Sequence, residues 1–222
     1  MTKKVFPGTC KGVRLGERLT NGCGKRYNAF TLIELIVVVG IITVLAGLVL
    51  STAGYARKKG QRARAETEIA AMSAACESYK ADNGVYPRGN ANLSNTAPYD
   101  TDNLNAQADG DPTADPTATR YKKASLYLYI QLSGTNANRT PITGARSYFT
   151  FKPNQLSPTD QNLPVEFIRD PFGNSYGYST ANQLGDPTKG YNPTFDLWST
   201  SALTATPGGT PDTITPQWVK NW

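Results

Sequence analysis

Hydrophobic residues fall into three regimes along this chain. Over residues 30–50 only Thr31, Glu34 and Thr43 carry a side chain that prefers water. A helix of about 20 apolar residues crosses a bilayer core, so this run predicts a membrane span. Further on the pattern thins to one helical stripe, Ile69, Met72, Cys76 and Tyr79, at spacings of three and four. That is the buried face of an amphipathic helix. No proline intervenes between Pro7 and Pro87, so residues 30–82 read as one helix of roughly 80 Å. Asp82-Asn83-Gly84, with Pro87 beyond, is a helix stop. Gly40, Gly47 and Gly54 are its weak points, and loosening on assembly is expected over 47–54.

The third regime is polar and broken. Residues 89–119, rich in Asn, Asp, Thr, Gly and Pro, read as a long surface loop. Residues 120–133 read as a short second helix with Leu126, Tyr129, Ile130 and Ser133 along one side. Segments 147–152, 175–180 and 194–199 have the aromatic and β-branched content of strands. Asp170-Pro171-Phe172-Gly173-Asn174 supplies a tight turn, since Pro fixes φ and Gly permits positive φ. These elements predict an α+β domain. Its antiparallel sheet of three or four strands, within 147–222, lies on the 69–79 stripe. The chain then divides into a leader (1–29), a span (30–50), the outer half of the long helix (51–83) and a globular part (84–222).

Charge changes the picture in one respect. Residues 1–29 hold seven of the 23 Lys and Arg and one of the 17 acids, leaving sixteen of each from residue 30 onward. The basic excess is therefore a property of the leader, and no nucleic-acid partner is expected. A basic segment ahead of an apolar span favours retention of that end in the cytoplasm. The run is longer than a secretory signal's apolar core, and no Ala-x-Ala-like site follows it at once, so an anchor is expected over a cleaved signal. Arg57, Lys58, Lys59, Arg62 and Arg64 form a basic collar beyond the span. The collar is either a solvated helix face, or a contact for lipid headgroups or for Glu66 and Glu68 of a neighbouring subunit.

Candidate chemistry is thin. The chain has no histidine, which excludes Ser-His-Asp and Cys-His catalysis and His-ligated metals. Cys10 and Cys23 lie in the leader, and Cys76 stands alone on the apolar stripe as a buried small side chain. Asp100, Asp102, Asp109, Asp111 and Asp115 lack the spacing of an EF-hand, and a solvated loop is expected. No paired carboxylates or nucleophile–base set appears, so the chain is not expected to be an enzyme. The residue out of place is Glu34, an ionisable group inside an apolar run, where such groups are costly and usually functional.

Ala29-Phe30-Thr31-Leu32-Ile33-Glu34-Leu35-Ile36 resembles the type III signal of type IV pilins and type II secretion pseudopilins. The family has a Gly where Ala29 stands, and a shorter leader. Arg169-Asp170-Pro171-Phe172-Gly173-Asn174-Ser175-Tyr176, Phe195-Asp196-Leu197-Trp198-Ser199 and the closing Asn221-Trp222 resemble segments of the major, G-type pseudopilins. The resemblance covers 26–88 and 163–222, with 89–162 as an insertion-rich variant. It implies a pilin-like fold, cleavage between Ala29 and Phe30 by the prepilin peptidase, and N-methylation of Phe30. The new amine of Phe30 and the carboxylate of Glu34 would then pair between neighbouring subunits during assembly. It also implies a calcium ion in the loop after the last strand. Here 200–213 carries only Asp212 as a carboxylate. A cation wanting six to eight oxygens is poorly served by one, so a weak or lost site is expected.

The expected function is that of a structural subunit of a type II secretion pseudopilus. It would polymerise with itself and act with minor pseudopilins and an inner-membrane secretion platform. The expected location is the bacterial inner membrane, single-pass, with the carboxy-terminal domain in the periplasm. Alternatives are a type IV pilin or minor pseudopilin serving adhesion, motility or DNA uptake, or a membrane-anchored periplasmic binding module.

Overall fold

A computed structural model describes residues 30–89, 101–102, 104–107, 117–201 and 217–222, with the backbone alone at 51–52. Two units are distinguished, Met1–Val49 and Leu50–Trp222. The boundary falls inside the glycine-marked stretch 47–54. Helix α1 is Leu32–Asn83. In the first unit its side chains, from Phe30 onward, are exposed throughout. The helix is long and apolar enough there to cross a membrane.

In the second unit α1 ends where Gly84 takes φ of +76° and its N–H bonds the Lys80 carbonyl at 2.7 Å. That left-handed cap is cheap only for glycine. The predicted stripe is buried, with Ile69, Met72 and Cys76 at or below 3% exposure and Tyr79 packed beside them. They share one core with Leu128, Leu132, Ile168, Tyr176, Tyr178, Leu197 and Val219. Helix α2, Thr119–Ser133, matches the expected span. Its buried face does not. Tyr121, Ala124, Ser125, Leu128, Tyr129 and Leu132 face inward, while Leu126 and Ile130 are half-buried flanks. Ser125 can occupy the face because its hydroxyl accepts the Ile168 N–H at 2.9 Å.

In place of the predicted single sheet within 147–222, the described residues form two small antiparallel sheets. Strands β1 (Leu156–Ser157) and β2 (Phe167–Ile168) pair with Leu156 opposite Ile168. Strands β3 (Gly177–Ser179), β4 (Asp196–Ser199) and β5 (Val219–Lys220) form the other, in the order β3-β4-β5. Segment 147–152 is not a strand. The N–H groups of Tyr148 and Phe149 both bond the Leu132 carbonyl, at 2.8 and 2.9 Å, so its backbone is spent on the end of α2. The stretch 194–199 is also not the last strand, since β5 follows it. There Asn221 extends the ladder, its side chain accepting the Leu197 N–H at 2.9 Å and donating to the Phe195 carbonyl at 3.2 Å. Trp222 stacks on Tyr191 with ring centroids 4.7 Å apart.

The turn at 170–174 forms as predicted. Asp170 Oδ1 accepts the N–H groups of Phe172 and Asn174, at 3.0 and 2.8 Å, and Gly173 takes φ of +101°. Asp170 Oδ2 accepts the Ser199 hydroxyl at 2.5 Å, tying the turn to β4.

Candidate functional site

The amino-terminal segment is built around a reciprocal cap. Thr31-Leu32-Ile33-Glu34 opens α1 as a capping box: Thr31 Oγ1 accepts the Glu34 N–H at 3.3 Å, and Glu34 Oε2 accepts the Thr31 N–H at 3.0 Å. The Thr31 hydroxyl also donates to Glu34 Oε2, at 2.8 Å. The carboxylate thus sits at the positive end of the helix, where negative charge is favoured. Its other oxygen, Oε1, takes no hydrogen bond among the described residues, which leaves it open to a cationic donor. Thr43, the remaining polar side chain of the run, is satisfied by the carbonyls of Val39 and Gly40, at 2.9 and 2.8 Å. Apart from this box the run therefore presents only apolar groups. Phe30 is 83% exposed. Ala29, the other half of the predicted cleavage site, lies outside the described residues.

The basic collar resolves into two kinds of residue. Arg62 donates to the carbonyls of Gln217, at 2.8 Å, and Trp218, at 3.3 Å, clasping the start of the final strand segment. It also faces Glu66 at 3.5 Å. Arg64 pairs with Glu68 at 2.7 Å, and Glu68 accepts the Tyr176 hydroxyl at 2.8 Å. Glu66 and Glu68, considered above as partners for a neighbouring subunit, are therefore engaged inside the chain. Arg57, Lys58 and Lys59 are exposed and make no ion pair or hydrogen bond among the described residues. The clasp and the Glu68–Tyr176 contact join residues more than 100 apart in sequence. No local signal marks them. Thr-x-x-Glu ahead of an apolar run is the sequence signature that could have found the capping box.

Other candidates are structural where they are described. Cys76 is fully buried, and burial pushes its thiol far above the ordinary range, so it is inert. Asp102 is bonded by Arg88 Nε, at 3.0 and 3.1 Å, and by the Thr180 hydroxyl at 2.8 Å. Asp100, Asp109, Asp111, Asp115 and Asp212 lie outside the described residues. Among those described, no three His, Cys, Asp or Glu side chains gather as a metal site. Two carboxylates lie at β4, and both are engaged by protein groups. Asp196 accepts the N–H groups of Tyr191 and Asn192, each at 2.9 Å, and Asp170 is occupied as above.

A long amino-terminal helix opened by Phe-Thr-Leu-Ile-Glu, with a second helix and small antiparallel sheets, defines a pilin-like α+β protein. The prokaryotic N-terminal methylation motif matches residues 24–50. Curated relatives share the name type II secretion system core protein G. The Pectobacterium carotovorum protein is 36% identical over 72 residues, 32% of this chain and 46% of that protein. The Escherichia coli protein is 33% identical over 98 residues, 44% of this chain and 59% of that protein. The Vibrio cholerae protein is 38% identical over 63 residues, 28% of this chain and 43% of that protein. The chain thus spans about half the length of these relatives. No solved structure matches.

Proposed function

We propose that this chain is a major-type subunit of a type II secretion pseudopilus. It is inserted in the bacterial inner membrane with the leader in the cytoplasm and the carboxy-terminal domain in the periplasm. The prepilin peptidase cuts before Phe30 and the new amine is methylated. The chain is in this reading an enzyme's substrate and not an enzyme. Subunits then polymerise through residues 30–50, in concert with minor pseudopilins and the membrane platform, to drive protein export.

The observation that best supports the reading is Glu34 Oε1. Thr31 fixes the carboxylate and satisfies Oε2, leaving one oxygen for a cation inside an otherwise apolar run. The Phe30 amine of the next subunit is such a cation. An uncompensated carboxylate in that phase costs several kcal/mol, so pairing selects one axial register. The decisive measurement is the mature amino terminus by mass spectrometry after coexpression with the prepilin peptidase. Methylated Phe30 is expected, and an intact leader overturns the processing step. Glu34→Leu should leave membrane insertion unchanged and abolish filament formation. Filaments assembled by that variant refute the pairing.

A further inference from the structure

We propose that residues 53–60 of α1 form a lipid-headgroup collar in which Arg57, Lys58 and Lys59 bind the anionic phosphates of the leaflet on the carboxy-terminal side of the span. The proposal rests on the membrane-anchored reading above. Every residue from 53 to 60 is exposed, and Gln61 is the first to become half-buried. Gln61 is held, its side chain donating to the Pro171 carbonyl at 2.9 Å. Arg62 and Arg64 are likewise committed to protein groups. Among the described residues the three cations before them have no such partner, and no acid lies between Glu34 and Glu66 in the sequence.

Their arrangement distinguishes a lipid layer from a protein partner. Successive helical residues point about 100° apart, so three in a row sweep more than half the circumference. Tyr55, 74% exposed, lies within the same arc, between Lys58 and Lys59. A second copy of the chain would seat on one face of the helix, whereas a headgroup layer surrounds it. The depth also fits. Residues 57–59 follow Leu50 by roughly 10–13 Å of helical rise, and long basic side chains reach back toward the phosphate level. Aromatic residues such as Tyr55 are favoured at the same interface. At roughly 1 kcal/mol per basic residue, each cation favours an anionic over a neutral surface about fivefold, and the three together about a hundredfold.

The test uses the full chain reconstituted in vesicles of phosphatidylcholine alone or mixed equally with phosphatidylglycerol. Acetylation by an amine-reactive ester is followed at each lysine by mass spectrometry. A negative surface potential near −30 mV favours the ammonium over the reactive amine, so Lys58 and Lys59 should react about threefold more slowly on the mixed vesicles. High salt should abolish the difference, and Lys122 and Lys123 should not change. Equal rates on both vesicles, with the chain floating with each, overturn the collar and leave the anchor intact. Protection that follows protein density rather than lipid charge also overturns it, in favour of a second copy. Failure of the chain to float with either vesicle overturns the anchor and the collar with it.

Discussion

Asp170 offers the sharpest test of how the globular unit is held. The residue is 2% exposed, and its carboxylate accepts three hydrogen bonds, two from turn N–H groups and one from Ser199. Asp170→Ala removes all three and strands buried donors, each costing about 1–3 kcal/mol. Local rearrangement lets the turn amides recover part of this, so a loss of about 3–4 kcal/mol is expected, near the upper end for single substitutions. In a unit of this size that lowers Tm by roughly 10 °C. Asp170→Asn keeps the acceptor for Phe172 and Asn174 and offers its amide to Ser199, and should cost less than about 1.5 kcal/mol. Burial raises the Asp170 pKa, outweighing the hydrogen bonds that lower it. A raised native pKa gives stability that is present at low pH and lost as pH rises through that pKa. The advantage of the parent over the Asp170→Asn variant should accordingly shrink from pH 4 to pH 7. Thermal and urea melts of the full chain in micelles read all three quantities. An Ala variant within 1 kcal/mol of the parent, or an Asn variant as damaged as the Ala one, refutes the account.

Gly177→Ala should destabilise by about 1–3 kcal/mol. Its ideal Cβ would stand 2.2 Å from the Trp198 ring and 2.6 Å from the Tyr121 hydroxyl, and near-ultraviolet circular dichroism should report the disturbed indole. Asp196 is raised by burial to about 6. Relative to Asp196→Asn, the parent should lose roughly 2 kcal/mol of stability as pH rises from 4 to 7. A pH series of urea melts checks the sign, which reverses if Asp196 titrates below an ordinary aspartate. Thr31→Val removes the hydroxyl bonds that fix Glu34, and filament yield should fall while membrane insertion is retained.

The long helix, its glycine stop, the 69–79 stripe and the extent of α2 were all legible because each rests on a local signal at helical period. Among the described strands, β3 and β4 fall inside the predicted segments 175–180 and 194–199, whereas β1, β2 and β5 are two residues each and leave alternation no room to show itself. Segment 147–152 has strand-like composition, but its backbone is claimed by a carbonyl of α2. The buried face of α2 shares Tyr129 with the predicted side but is turned from it, because Ser125 looks polar in sequence and becomes a core residue only through the Ile168 N–H. At the candidate site Phe30, Thr31 and Glu34 were readable from spacing, while the division of the basic collar was not. Arg62 and Lys59 are alike on paper. Only the folded chain brings the carbonyls of Gln217 and Trp218 to one and leaves the other bare.

That clasp also bears on the order in which the molecule comes together. Helical turns of α1 close over four residues and form early, whereas Arg62 must find a carbonyl 156 positions away. We expect a contact of such long range to close after the transition state has passed, which refolding and unfolding rates of an Arg62→Ala variant would check. Removing it should leave the refolding rate almost unchanged and let the native unit open faster. The arginine then acts as a latch on the lifetime of the folded unit, with little say in how quickly that unit is reached.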